Sequence, residues 1–250
     1  MSTRKKAFFV CLAAFVVLIL MSCIFLLGMR FSSPGTDYWA YALDNIICIG
    51  DSLTDGTYMA GDLAWKNIEE NYPFYLSRML GTPVENAGVG GYSASDWFIN
   101  CSDNYDYGRY NAAIIWLGTN NGYTDTLDTD VEPYSDYNSY AETETGYYCR
   151  IIEKIQQANP NCRIYLMTVF ASKDDVKISN RVIKKIAARY DLQIIDASPL
   201  GMEHRELHAG LENPHFGKAG NIAVARHIVT ELGKYYSDNP LRCEFGIHLK

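Results

Sequence analysis

The sequence lacks any excess of positive charge. It holds 22 Lys and Arg against 29 Asp and Glu, a net charge of −7 over 250 residues. It therefore offers no basic stripe for a nucleic-acid backbone. It has no internal repeat, which argues against a solenoid, and no low-complexity tract. Its seven cysteines form no Cys-x-x-Cys pair and show no metal-ligand spacing. A P-loop, a glycine-rich dinucleotide fingerprint and a His-Glu-x-x-His helix are all missing. So is the Gly-x-Ser-x-Gly elbow of the commoner α/β hydrolases. What remains is a globular composition, 48% hydrophobic and 20% charged, long enough for one sizeable domain with a core.

The first thirty residues differ in kind. Arg4, Lys5 and Lys6 precede Ala7 to Met29, 23 uncharged and mostly apolar residues, and Arg30 closes the run. That length spans a hydrocarbon core of about 30 Å as a helix and exceeds the apolar stretch of a cleaved signal. The expectation is a single transmembrane signal anchor. Its basic flank stays in the cytoplasm and the rest of the chain lies outside. A cleaved signal peptide, which would leave the protein secreted, and a lipoprotein, from the Leu20-Met21-Ser22-Cys23 stretch, stay open. Without Arg4, Lys5, Lys6 and Arg30 the remainder carries 18 basic residues against 29 acidic ones, so it should not cling to an anionic membrane surface. The expected organisation is a cytoplasmic stub and anchor over 1–30, a linker and edge segment over 31–44, a catalytic domain over 45–240 and a tail over 241–250. Of the five cysteines beyond the anchor, Cys48 falls in a strand and reads as core. An oxidising compartment would allow one disulfide among Cys101, Cys149, Cys162 and Cys243.

Ile46-Ile47-Cys48-Ile49 is a short buried strand, and it breaks into Gly50-Asp51-Ser52, with Gly50 expected to let the chain turn sharply. Val84 to Gly88 is a weak second strand running into a glycine-rich turn and a short helix from about Ser95. Ala112 to Leu117 is a continuous apolar run, as in a parallel strand buried on both faces. Arg163 to Val169 and Leu192 to Ile195 complete five. Between them, helical spacing covers Ala64 to Leu80, with Pro73 as an interruption, then Tyr147 to Ala158, Val176 to Tyr190 and Gly217 to Tyr236. Gly122 to Thr145 reads as an acidic, tyrosine-rich surface loop, and His208 to Phe216 as another loop. Strands alternating with helices predict an α/β fold: a five-stranded parallel sheet covered on both faces as a three-layer α/β/α sandwich. Right-handed crossovers then bring the segments after each strand to one rim.

Four of those segments stand out: Gly50-Asp51-Ser52-Leu53-Thr54, Asn86-Ala87-Gly88-Val89-Gly90-Gly91, Gly118-Thr119-Asn120-Asn121 and Glu212-Asn213-Pro214-His215-Phe216. In this order they resemble the SGNH family of GDSL-type serine hydrolases, over roughly Asn45 to Leu232. The resemblance implies the flavodoxin-like SGNH fold and a carboxylic ester hydrolase with Ser52 as nucleophile and His215 as its base. A serine hydroxyl needs such a base to take its proton. His204, His208, His227 and His248 read instead as surface or capping residues. The family places an aspartate three residues before the histidine, where this chain has Glu212. That residue either orients His215 or is a solvated loop acid, leaving a dyad steadied by a main-chain carbonyl. The family's oxyanion hole maps to the backbone N–H groups of Ser52 and Gly91 and the side chain of Asn120. The plain alternatives are a flexible turn and a helix cap. Asn121 replaces the usual aspartate of its block, and Asp51 is expected to brace the turn. No metal or cofactor is implied.

Family members include lipases, lysophospholipases and carbohydrate deacetylases. Tyr123, Tyr134, Tyr137 and Tyr140 stand close to Asn120 in sequence, and aromatic faces suit sugar rings. The expected substrate is a small ester or acylated glycan with a short acyl group. A lipase or lysophospholipase, and an inactive SGNH domain serving as a surface glycan-binding module, are the alternatives.

Overall fold

The computed structural model describes residues 43–59, 65–120, 136–170, 174–209 and 214–239. Its strands are β1 (Ile46–Gly50), β2 (Thr57–Met59), β3 (Trp65–Asn67), β4 (Val84–Gly88), β5 (Ala112–Trp116), β6 (Arg163–Met167) and β7 (Gln193–Ile195). Its α-helices are α1 (Ser52–Asp55), α2 (Tyr72–Leu80), α3 (Ala94–Cys101), α4 (Glu144–Ala158), α5 (Asp174–Tyr190) and α6 (Lys218–Asp238). The expected parallel sheet is present, in the order β4-β1-β5-β6-β7. By chain order of its five strands this is the 2-1-3-4-5 arrangement of flavodoxin-like folds.

The two central strands are the most apolar because both their faces are covered. Every residue of β1 and β5 is buried. Each buried isoleucine there contributes roughly 1.5–3 kcal/mol, and the Trp116 indole N–H is satisfied by the Thr168 carbonyl at 2.9 Å. β4 reads weakly because it is the edge strand and stays partly exposed. From β1 to β4 the chain moves one way across the sheet, and from β4 onward the other way. Right-handed crossovers therefore put α2 and α3 on opposite faces. The helix contacts agree, α2 packing on α6 and α3 on α4. The reversal leaves a crevice at the carboxyl ends of β1 and β5, where open α/β sheets bind ligands.

Several expectations need correction. Residues 64–80 do not form one interrupted helix. Trp65–Asn67 pairs antiparallel with Thr57–Met59, and α2 begins only where Pro73 fits its first turn and Asn71 caps it, accepting the Phe74 N–H at 3.3 Å. A proline is tolerated in the first turn because no intrahelical acceptor waits for its N–H. The helix expected from Tyr147 starts at Glu144, with Thr143 accepting the Gly146 N–H. The His208–Phe216 loop closes on itself through an antiparallel bridge between those two residues.

Cys48, Cys101, Cys149 and Cys162 are buried, and no disulfide joins these four. Cys243 lies outside the described residues. Burial pushes the Cys48 thiol up to about 12, which makes it an inert core residue. Among the described residues no helix is long and apolar enough to cross a membrane. The anchor expected over residues 7–29 lies outside them, as do the tail and all of the linker except Leu43 and Asp44.

Candidate active site

The site starts at the end of β1. Asp51 caps α1, its Oδ1 accepting the Leu53 N–H at 2.9 Å. Ser52 is then the first residue of α1, and a first-turn N–H has no intrahelical acceptor. Gly50 is needed here for space rather than for conformational freedom. A Cβ on it would stand 2.0 Å from Thr54 Oγ1 and 2.9 Å from the Trp116 carbonyl. Gly88 is crowded in the same way, 2.3 Å from the Asp55 nitrogen. These two glycines let α1 sit directly on the ends of β1 and β4.

Hydrogen bonds fix that seat. Asn86 Nδ2 donates to the Thr54 carbonyl at 2.9 Å, and its Oδ1 accepts the Gly88 N–H at 2.9 Å. Asn71 Nδ2 donates to the Asp55 carbonyl at 3.0 Å. Thr54 Oγ1 and Tyr72 Oη lie 3.2 Å apart in the core.

The turn after β4 is strapped to the same helix. The Val89 N–H donates to the Gly50 carbonyl at 3.0 Å and the Gly90 N–H to Asp55 Oδ2 at 3.2 Å. The Tyr92 N–H donates to the Val89 carbonyl at 3.2 Å, with Gly91 between them at φ +81°. That positive φ is what a type II turn requires at its third position. Asn120, beyond β5, donates from Nδ2 to the Tyr92 carbonyl at 3.1 Å. This bond uses one of the two amide N–H groups and orients the other.

His215 arrives from far along the chain. Its Nε2 lies 2.8 Å from Ser52 Oγ, across 163 residues of sequence. Burial, with a smaller contribution from the charge of nearby His208, lowers its pKa from the ordinary value of 6.5. A histidine held neutral near pH 7 can accept a hydroxyl proton.

Asp51 is wholly buried, and burial pushes its carboxyl up to about 7 against the pull of the Leu53 N–H. Its Oδ2 and the Thr119 hydroxyl are both buried without a hydrogen-bond partner among the described residues. The Thr119 hydroxyl still lies near enough to ease the charge on Asp51. Among the described residues no cluster of three His, Cys, Asp or Glu could hold a metal ion.

The structure thus gathers Asp51, Ser52, Gly91, Asn120 and His215 at one sheet edge. Glu212 and Asn121 lie outside the described residues, as do Tyr123 and Tyr134. Two sequence expectations fail on burial. Tyr140 is no sugar platform, because it is 1% exposed and its hydroxyl is bonded to Tyr190 and Glu153. His208 is not a surface residue but is buried, each ring nitrogen facing a main-chain carbonyl. Sequence reading also missed the bracing roles of Asn86 and Asp55. The available signal was a polar side chain in a strand, two residues before a glycine that cannot carry a Cβ.

A model of the family described as GDSL-like Lipase/Acylhydrolase matches residues 48–222. No curated protein matches the chain. Among solved structures, a lipase/acylhydrolase from Enterococcus faecalis is similar, with 17% identity, 77% of this chain and 97% of that chain covered, and a TM-score of 0.54. An acetyl xylan esterase shares 19% identity over 74% of this chain and 98% of that one, with a TM-score of 0.53. A catalytic mutant of an acetylxylan esterase from Geobacillus stearothermophilus shares 20% identity over 76% of this chain and 94% of that one, with a TM-score of 0.51. At these identities the likeness to the solved structures is one of fold.

Proposed function

Since this chain belongs to the GDSL-like lipase/acylhydrolase family and is an esterase/acylhydrolase by that membership, we propose that Ser52 is its nucleophile, His215 its general base, and short acyl esters, such as acetyl groups on glycans, its substrates. The observation that carries the reading is the 2.8 Å contact between Ser52 Oγ and His215 Nε2. It favours a working enzyme over an inert binding module.

In the proposed reaction Ser52 Oγ attacks the ester carbonyl carbon and its proton passes to His215 Nε2. Negative charge develops on the former carbonyl oxygen. The N–H groups of Ser52 and Gly91 and the free amide N–H of Asn120 stabilise it. When the intermediate collapses, the alcohol leaves with the proton from His215. Water, deprotonated in turn by His215, attacks the acyl-Ser52 ester and releases the acid. Glu212 is proposed to orient the imidazole. In that case Glu212→Gln lowers kcat strongly with an unchanged melting temperature, because an amide can present an N–H where an acceptor is needed. A parental kcat in Glu212→Gln would leave a Ser52–His215 dyad.

The short-acyl reading draws on the acetylxylan esterases among the similar folds. Half-buried Tyr92 and Tyr137 remain as candidate aromatic surfaces for a sugar. The membrane anchor over residues 7–29 and an extracytoplasmic site are part of the same proposal. They are checked by protease accessibility of the domain in intact cells.

The deciding experiment is labelling of the full-length chain with a fluorophosphonate, with Ser52→Ala as control, followed by hydrolysis of p-nitrophenyl esters of increasing length. Labelling that survives Ser52→Ala would remove Ser52 as nucleophile. Faster turnover of chains of eight carbons or more would replace the short-acyl reading with a lipase-type one.

A further inference from the structure

One buried side chain touches both sequence neighbours of His215. His208 is 8% exposed. Its Nδ1 lies 3.1 Å from the Pro214 carbonyl and its Nε2 lies 3.2 Å from the Gly201 carbonyl. Its ring stacks on Phe216, with centroids 5.1 Å apart and planes at 21°, and meets Phe170 at 5.8 Å. Phe216 and Phe170 pack in turn on Trp116 at the end of β5. In the backbone, His208 bridges Phe216, and the Ala209 N–H donates to the His215 carbonyl at 2.8 Å. Gly201 closes the 3-10 turn Ser198–Leu200 beyond β7. Through these contacts His208 ties the segment carrying His215 to the exits of β5, β6 and β7.

A carbonyl oxygen only accepts, so a ring nitrogen must donate to hold it. The two contacts reach different things. Nδ1 holds the residue bonded directly to His215, whereas Nε2 holds a turn remote from it in sequence. Resting on the Ser52–His215 reading above, the geometry points to His208 as a positioning residue. It fixes His215 Nε2 against Ser52 Oγ through the Pro214 carbonyl and the stack on Phe216. It is also close enough for its charge to oppose protonation of His215. Asp51 and Asp55, on the Ser52 side, are buried and half-buried; Glu203, Arg205 and Glu206 on the preceding turns, with His204 beside them, and Lys218 at the start of α6 are exposed. Water screens the exposed ones.

The test uses the full-length chain, p-nitrophenyl acetate as substrate, and a fluorophosphonate to count competent sites. The parent must label and Ser52→Ala must not. Failure there overturns the nucleophile assignment and this inference with it. A labelled parent whose His208 variants are unaffected overturns this inference alone.

An asparagine amide can occupy the place of Nδ1, and a glutamine amide that of Nε2. His208→Gln and His208→Phe are expected to lower kcat per labelled site about 10²-fold with KM within about threefold, while His208→Asn stays within about tenfold of the parent. The acid limb of kcat/KM, which reports the free enzyme's base, should move to higher pH in His208→Phe, because the neighbouring charge is gone. Equal losses in His208→Asn and His208→Gln would overturn the inference. So would a parental kcat and acid limb in His208→Phe. If His208→Phe does not fold, the contrast between the Asn and Gln variants decides alone.

Discussion

Around Ser52 the chain is held by hydrogen bonds, most of them from residues well separated in sequence. Asp51 accepts from Leu53, Asn71 and Asn86 donate to the backbone of α1, and the Gly90 N–H reaches Asp55. Around His215 the support is of another kind: one backbone bridge, a stack of aromatic rings and the buried ring of His208. The place of Ser52, the proposed nucleophile, is therefore a property of the sheet edge, built where strands β1 and β4 end. The place of His215, the proposed base, depends on side chains drawn from three separate strand exits. Burial acts in opposite pH directions on the two halves, raising the pKa of Asp51 on one and lowering that of His215 on the other.

The sharpest way to break this comparison is to remove the base. His215→Ala should leave the turn around Ser52 folded, with a melting temperature close to the parent's, while kcat falls on the order of 10⁴–10⁶-fold. A collapse of the melting temperature instead would show that the two halves are one structural unit. Asn120→Ala probes the Ser52 side, since Asn120 is tied to Tyr92. It should lower kcat about 10²–10³-fold with little change in KM, as for loss of one oxyanion donor. A pure KM effect would place Asn120 in ground-state binding.

Gly88→Ala should push α1 off its seat, because the new Cβ would stand 2.3 Å from the Asp55 nitrogen. Overpacking of this kind costs about 1–3 kcal/mol, read as a lower midpoint in urea, with kcat reduced alongside. Parental stability would mean that this turn yields more easily than its hydrogen bonds indicate.

The remaining effects concern pH. The fold favours neutral His215, so an unfolded chain takes up that proton first as pH falls below 6.5. Stability from this group is full above 6.5 and is lost as pH drops toward the lowered value. Asp51 runs the other way. Its folded pKa is raised from 3.8 to about 7, so its contribution is full below 3.8 and is lost as pH rises to about 7. Asp51→Asn, which keeps an acceptor for Leu53 and adds a donor toward Thr119, should abolish the second decline in urea titrations between those values and leave the first. The acid limb of kcat/KM should fall below 6.5 in both proteins. An unchanged stability profile in Asp51→Asn would mean that Asp51 is ionised at little cost.

The sheet and the four blocks were legible in the order of amino acids alone. Ile46 to Ile49 and Ala112 to Trp116 could be read because strands buried on both faces must be apolar throughout. Ser52, Gly91 and Asn120 could be placed on one rim because parallel strands with right-handed crossovers leave no other edge, whereas His215 was placed there by the resemblance of its block. Other features depend on which residues meet in space once the elements have packed. Trp65–Asn67 is a strand because β2 lies beside it. Gly50 is a glycine because Thr54 and Trp116 crowd it. Tyr140, which from its neighbours looks like a surface residue, is buried because Tyr190 and Glu153 satisfy its hydroxyl. His208 has no local pattern to mark it. Its partners, Gly201, Pro214, Phe170 and Phe216, come together only when the ends of β6 and β7 and the segment before α6 have packed. Periodicity reports which face of an element is buried, but the identity of what covers that face is a long-range fact.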